Sequence, residues 1–114
     1  MSAENEVEVR LIDVLETFAR TPPSPGNAGV MDALSTSTGA KRLKILEAMW
    51  SAEDEGLLQE SYIPAVHGRA PCCELPSLGR ETLEKLQFDE RTRIAAQAAR
   101  DILGDIEAEM AGLK

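Results

Sequence analysis

Apolar residues recur at helical spacing along this chain up to Glu55 and again from Ser77 onward, and lose that spacing only between Gly56 and Pro76. A period near 3.6 lines apolar side chains along one helix face, whereas an extended chain alternates them across a strand. The pattern therefore predicts a mostly α fold with one small β-hairpin. A chain of 114 residues is long enough to close one core. Its only aromatics are Phe18, Trp50, Tyr62 and Phe88, so that core must come from aliphatic side chains, which suits helices.

The elements follow in order. Val7, Leu11, Val14, Leu15 and Phe18 mark a first helix over Glu6 to Arg20. It stops at Thr21-Pro22-Pro23-Ser24-Pro25-Gly26, because proline removes a helical donor and clashes with the preceding turn. Asn27 is placed to cap a short helix containing Val30, Met31, Ala33 and Leu34. Ser35-Thr36-Ser37-Thr38-Gly39 reads as a turn that ends this helix and caps the next. A third helix over Ala40 to Glu55 carries Leu43, Ile45, Leu46, Met49, Trp50 and Ala52 around more than half its circumference. That distribution predicts the most buried helix of the chain, with Gly56 as its C-cap. Residues 57–63 and 72–75 are expected to pair as the only strands, around a loop from Val66 to Pro71. Ser77 then caps a helical region beginning near Leu78. A long amphipathic stretch follows from Asp89 to Leu113, weakened but not broken at Gly104.

Charge narrows the classes. The net charge is −8, which disfavours a surface that binds phosphates everywhere. The acids are concentrated, however, in residues 1–16 and 53–60, while Lys41, Arg42 and Lys44 face only Glu47 within residues 35–50. Arg69 and Arg80 outweigh Glu74 in residues 61–80. No apolar run reaches the roughly 20 residues that span a bilayer. Glu4, Glu6 and Glu8 occupy the place where a signal peptide needs positive charge, so a cytoplasmic protein without membrane contact is expected. Cys72 and Cys73 are adjacent and cannot build a disulfide framework, in keeping with a reducing compartment. A closed zinc site needs four ligands, and His67 is the one histidine, so neither metal nor cofactor is expected. One cysteine in the core and one surface thiol is the expected arrangement. No nucleophile elbow, ordered triad or phosphate-binding glycine loop accompanies these residues, so an enzyme is not expected.

Two junction sequences carry the most information. Glu55-Gly56-Leu57-Leu58 ends the third helix, and Leu75-Pro76-Ser77-Leu78-Gly79-Arg80-Glu81-Thr82-Leu83 opens the last one. Over residues 28–86 this arrangement resembles the winged helix-turn-helix domain of MarR-like and PadR-like transcriptional regulators. In that family a recognition helix ends in an acidic-Gly-Leu-Ile type sequence. A two-stranded wing follows, and the next helix opens with a Leu-Thr-x-x-Gly-Arg-x-x-Leu type sequence. Pro76 stands where the family has a capping Thr. The resemblance implies a winged-helix-like domain over residues 1–88 and a C-terminal helical dimerisation segment over residues 89–114.

It also implies a small regulator of transcription that binds double-stranded DNA through the 36–44 region and a wing at 64–71. The contacting residues would be Thr36, Ser37, Thr38, Lys41, Arg42 and Lys44, with His67 and Arg69 at the wing. The C-terminal stripe Ile94, Ala98, Ile102, Ile106, Met110 and Leu113 is expected to form a homodimer interface. The alternative is an acidic, winged-helix-shaped protein-interaction module, an adaptor or phage-type inhibitor. It would bind a basic protein partner and no DNA.

Overall fold

The computed structural model describes residues 7–112. Four α-helices and one antiparallel hairpin follow in the order α1 (Leu11–Arg20), α2 (Ala28–Thr38), α3 (Arg42–Asp54), β1 (Gln59–Ala65), β2 (Gly68–Glu74) and α4 (Ser77–Gly112). The chain divides into two compact units, Met1–Leu83 and Glu84–Lys114. The first holds the three short helices, the hairpin and the opening turns of α4. The second is the remainder of that helix.

In the first unit, α1 packs on α2 and α3, and α2 on α3. Val14, Leu15, Leu34, Ile45 and Ala52 are almost wholly excluded from solvent. Helix α1 begins at Leu11 rather than Glu6, and Val7 is exposed outside it. The backbone N–H of Arg10 donates to Asp13 Oδ2 at 3.2 Å, and the Arg10 guanidinium pairs with the same carboxylate, which fixes the first turn there. Thr17, absent from the predicted stripe, is also buried, because its hydroxyl donates to the Asp13 carbonyl at 2.7 Å and needs no water.

Helix α2 corrects two expectations. Asn27 occupies the N-cap position without making a capping hydrogen bond, and Ser24 Oγ accepts the Gly29 N–H at 2.8 Å instead. Residues 35–38, expected as a turn, form the last turn of the helix, and the reversal comes at Gly39 with φ 75°. Thr38 makes this possible. Its hydroxyl donates to the Leu34 carbonyl at 2.6 Å and accepts from the Ala40 N–H at 3.1 Å, so the hydroxyl supports the helix end instead of breaking it.

Helix α3 buries one stripe, Ile45, Met49 and Ala52, and leaves Leu43 and Trp50 exposed. It is not enclosed on two sides as its composition predicts. Its end is a Schellman motif. The Leu57 N–H donates to the Ala52 carbonyl and the Gly56 N–H to the Glu53 carbonyl, each at 2.9 Å, with Gly56 at φ 78°. Leu57 and Leu58 turn inward and are buried, which ends the helix against the core and delays the strand to Gln59.

The hairpin pairs Gln59 with Glu74 through Ala65 with Gly68. The expected loop from Val66 to Pro71 contracts to Val66 and His67, and Pro64 continues the strand. Proline is tolerated because this two-stranded sheet consists of edges alone, so a missing donor can face solvent. Ser61 and Ile63 on β1, with Ala70 and Cys72 on β2, turn toward the core side, and Cys72 is buried. Ser77 is the first helical residue of α4 rather than a residue outside it, and the Arg80 N–H donates to the Pro76 carbonyl at 3.0 Å.

Along the second unit, Ile94, Ile102, Ile106 and Met110 are each exposed by 46% or more, and Ala98 is exposed with them. Leu113 lies outside the described residues. No described helix is long and apolar enough to cross a membrane.

Candidate nucleic-acid interface

Helices α2 and α3 are joined by Gly39, Ala40 and Lys41, a three-residue reversal of the kind that builds a helix-turn-helix. Ala40 is buried and anchors the turn, whereas Lys41 stands in the N-cap position of α3 with extended backbone. Its ammonium and the Arg42 guanidinium are exposed at the start of α3, and Lys44 is half-buried one turn further on. No acid occupies that first turn. The positive end of the helix dipole and the exposed Lys41 and Arg42 together favour an anion.

Of the hydroxyl residues assigned to this region, Thr36 and Ser37 are exposed on the last turn of α2. Thr38 is half-buried with its hydroxyl committed to the turn. These three lie on the helix before the reversal rather than on the opening of α3. At the hairpin, His67 is exposed in the two-residue tip, and Arg69, paired with Pro64, is exposed next to it. Glu60 and Tyr62 share the outward side of β1. The Tyr62 hydroxyl donates to Glu60 Oε1 at 2.8 Å, and that bond with the carboxylate charge raises the phenol's pKa above its ordinary value.

The hairpin is held to the helices by a side chain that sequence reasoning assigned to a different task. Asn27 Oδ1 accepts the Cys73 N–H at 2.7 Å, while Asn27 itself adopts φ 59°. Asparagine is among the few residues that tolerate this left-handed conformation, which aims its amide at β2. Beside this bond lies a recess of about 290 Å³ lined by Gly26, Asn27, Glu53, Glu60, Pro71 and both cysteines. The Cys73 thiol sits 4.0 Å from Glu53 Oε2. Burial pushes this thiol's pKa up, hydrogen bonding of the thiol to the Asn27 side chain opposes the shift, and the nearby Glu53 carboxylate adds to it. Among the described residues, no group of three or more His, Cys, Asp or Glu side chains is placed to hold a metal ion.

No protein-family model matches the sequence, and no curated protein matches it either. Solved structures do resemble the fold. One is the MarR family transcription regulator SP03579, at a TM-score of 0.58 and 16% identity over 89% of this chain and 66% of that one. Another is a PadR family transcription regulator from Clostridium difficile R20291, at a TM-score of 0.55 and 18% identity over 77% of this chain and 97% of that one. The chain thus spans just under two thirds of the first protein's length and nearly all of the second's. Three short helices, a two-stranded wing and a long closing helix give this chain the winged-helix fold that both regulators share.

Proposed function

We propose that the protein is a small transcriptional regulator that binds double-stranded DNA, with α3 presented to the major groove and the hairpin tip to the adjacent backbone. The observation that carries this reading is the exposed pair Lys41 and Arg42 at the start of the second helix of a helix-turn-helix, followed by a wing bearing Arg69. Phosphate contacts of this kind fix the register of a reader on its duplex. Thr36, Ser37, Lys44 and His67 complete the contact set. Thr38 serves it by holding the turn.

The regulator acts as a homodimer through the second unit. Ile94, Ala98, Ile102, Ile106 and Met110 form an exposed apolar row on α4, more than a soluble monomer ordinarily leaves in water. Two recognition helices related by a two-fold axis match a palindromic operator. Electrophoretic mobility shift against duplexes from the protein's own genomic neighbourhood tests the reading. A retarded band that weakens steeply with salt supports it, and no shift at any salt concentration excludes it.

A further inference from the structure

The face of α3 turned away from the core is not the face of a simple phosphate reader. Opposite Ile45, Met49 and Ala52 lie Leu43, Glu47, Trp50 and Asp54, spaced i, i+4, i+7 and i+11, and all four are exposed. Leu43 is 62% and Trp50 54% exposed. The cations of the helix sit before or beside this line, not on it, and Glu55 follows its acidic end in the chain. Exposed apolar side chains on one line of one helix mark a contact surface, and tryptophan is the residue most concentrated at the energetic centres of protein interfaces. Carboxylates at Glu47 and Asp54 repel phosphates, so on a duplex the backbone contacts fall to Lys41 and Arg42 at the helix start.

We propose that the outward face of α3 docks a polypeptide segment that presents apolar side chains flanked by Lys or Arg. Leu43 and Trp50 supply the apolar contact. Glu47 and Asp54 supply the complementary charge that orients the partner and speeds its encounter. Because the same helix is the one presented to the groove, the docked segment and the duplex exclude each other, and the partner relieves DNA binding. The exclusion rests on the DNA reading above. The docking does not.

Trp50 is the only tryptophan in the chain and reports on its own face. The full chain is titrated with a synthetic peptide of Leu and Lys at helical spacing, and with a shuffled isomer of the same composition that forms no apolar stripe. Docking predicts a blue shift of Trp50 emission and at least tenfold tighter binding of the striped peptide. Leu43→Ser and, separately, Glu47→Lys should each weaken that binding at least tenfold with the thermal unfolding curve unchanged, since both side chains are exposed. Equal binding of the two isomers, or unchanged affinity in Leu43→Ser, overturns the proposal. Dissociation of a homodimer by Leu43→Ser also overturns it, by assigning the face to a second copy. Labelled duplex then separates the two readings. If no duplex binds, the DNA reading fails and the docking stands. If a bound duplex is not displaced by the striped peptide, the competition fails.

Discussion

Gly79, in the opening turns of α4, lies so close to the carbonyl oxygen of Leu57 that a Cβ would overlap it. Leu57 ends the Schellman motif of α3 and is buried, so neither partner can retreat without moving a helix. The two junction sequences that bracket the hairpin are thus two sides of one contact, and the wing is clamped at its base.

Gly79→Ala should therefore destabilise the first unit by about 1–3 kcal/mol, the usual cost of overpacking a close contact. Gly104, in the same helix, has open space around it, and Gly104→Ala should stabilise by about 1 kcal/mol through helix propensity alone. Chemical denaturation of the two variants checks the pair. A Gly79→Ala variant as stable as the parent would show that the contact relaxes freely.

Asn27→Ala should cost about 1–3 kcal/mol, because it strands the Cys73 N–H. Alanine also tolerates φ 59° less well than asparagine does, which adds up to about 1 kcal/mol. Asn27→Gly loses the bond and relieves the backbone, so it should fall between alanine and the parent. Hydrogen exchange at the Cys73 amide reads the same bond directly, and should accelerate in both variants.

Lys41→Glu with Arg42→Glu should abolish duplex binding and leave the unfolding transition in place, since both side chains are exposed. Any residual binding should lose about 2 from the slope of log affinity against log salt, at close to one per phosphate contact removed. Unchanged affinity at matched salt would place the DNA contact elsewhere.

Sedimentation of the full chain at tens of micromolar should show a dimer, which Ile102→Asp with Ile106→Asp converts to folded monomers. Both isoleucines are exposed in the single chain, so the double variant removes no described core residue. A parent that sediments as a monomer removes the dimer from the functional reading.

The Cys73 thiol, with a folded pKa above its unfolded one, contributes stability that is fully present below the unfolded thiol's pKa. That contribution fades as pH rises through the folded value, because the unfolded chain ionises first. Stability should fall above about pH 8.5 through this group, and Cys73→Ala should flatten the decline. Denaturant midpoints at several alkaline pH values give the slope, and identical slopes in parent and variant would contradict the assignment.

What the sequence determined by itself is the part governed by local spacing. Val14, Leu15, Val30, Leu34, Ile45 and Met49 announce their helices because apolar periodicity is a property of neighbours in the chain. The loss of that period after Gly56 announces the hairpin in the same way, and the cations opening α3 are legible because helix starts are local features. Tertiary structure decided which of two apolar stripes on α3 is covered. Ile45, Met49 and Ala52 are buried on the helix that packs on α1 and α2, whereas Leu43 and Trp50 stay exposed, and composition cannot distinguish the two stripes. It also decided where Asn27 sends its amide. A capping bond within its own helix and a bond to Cys73, 46 positions away, satisfy the side chain equally well until the hairpin has docked. The clamp between Leu57 and Gly79 belongs with these, because the need for a residue without a side chain arises only when two distant backbones are brought together.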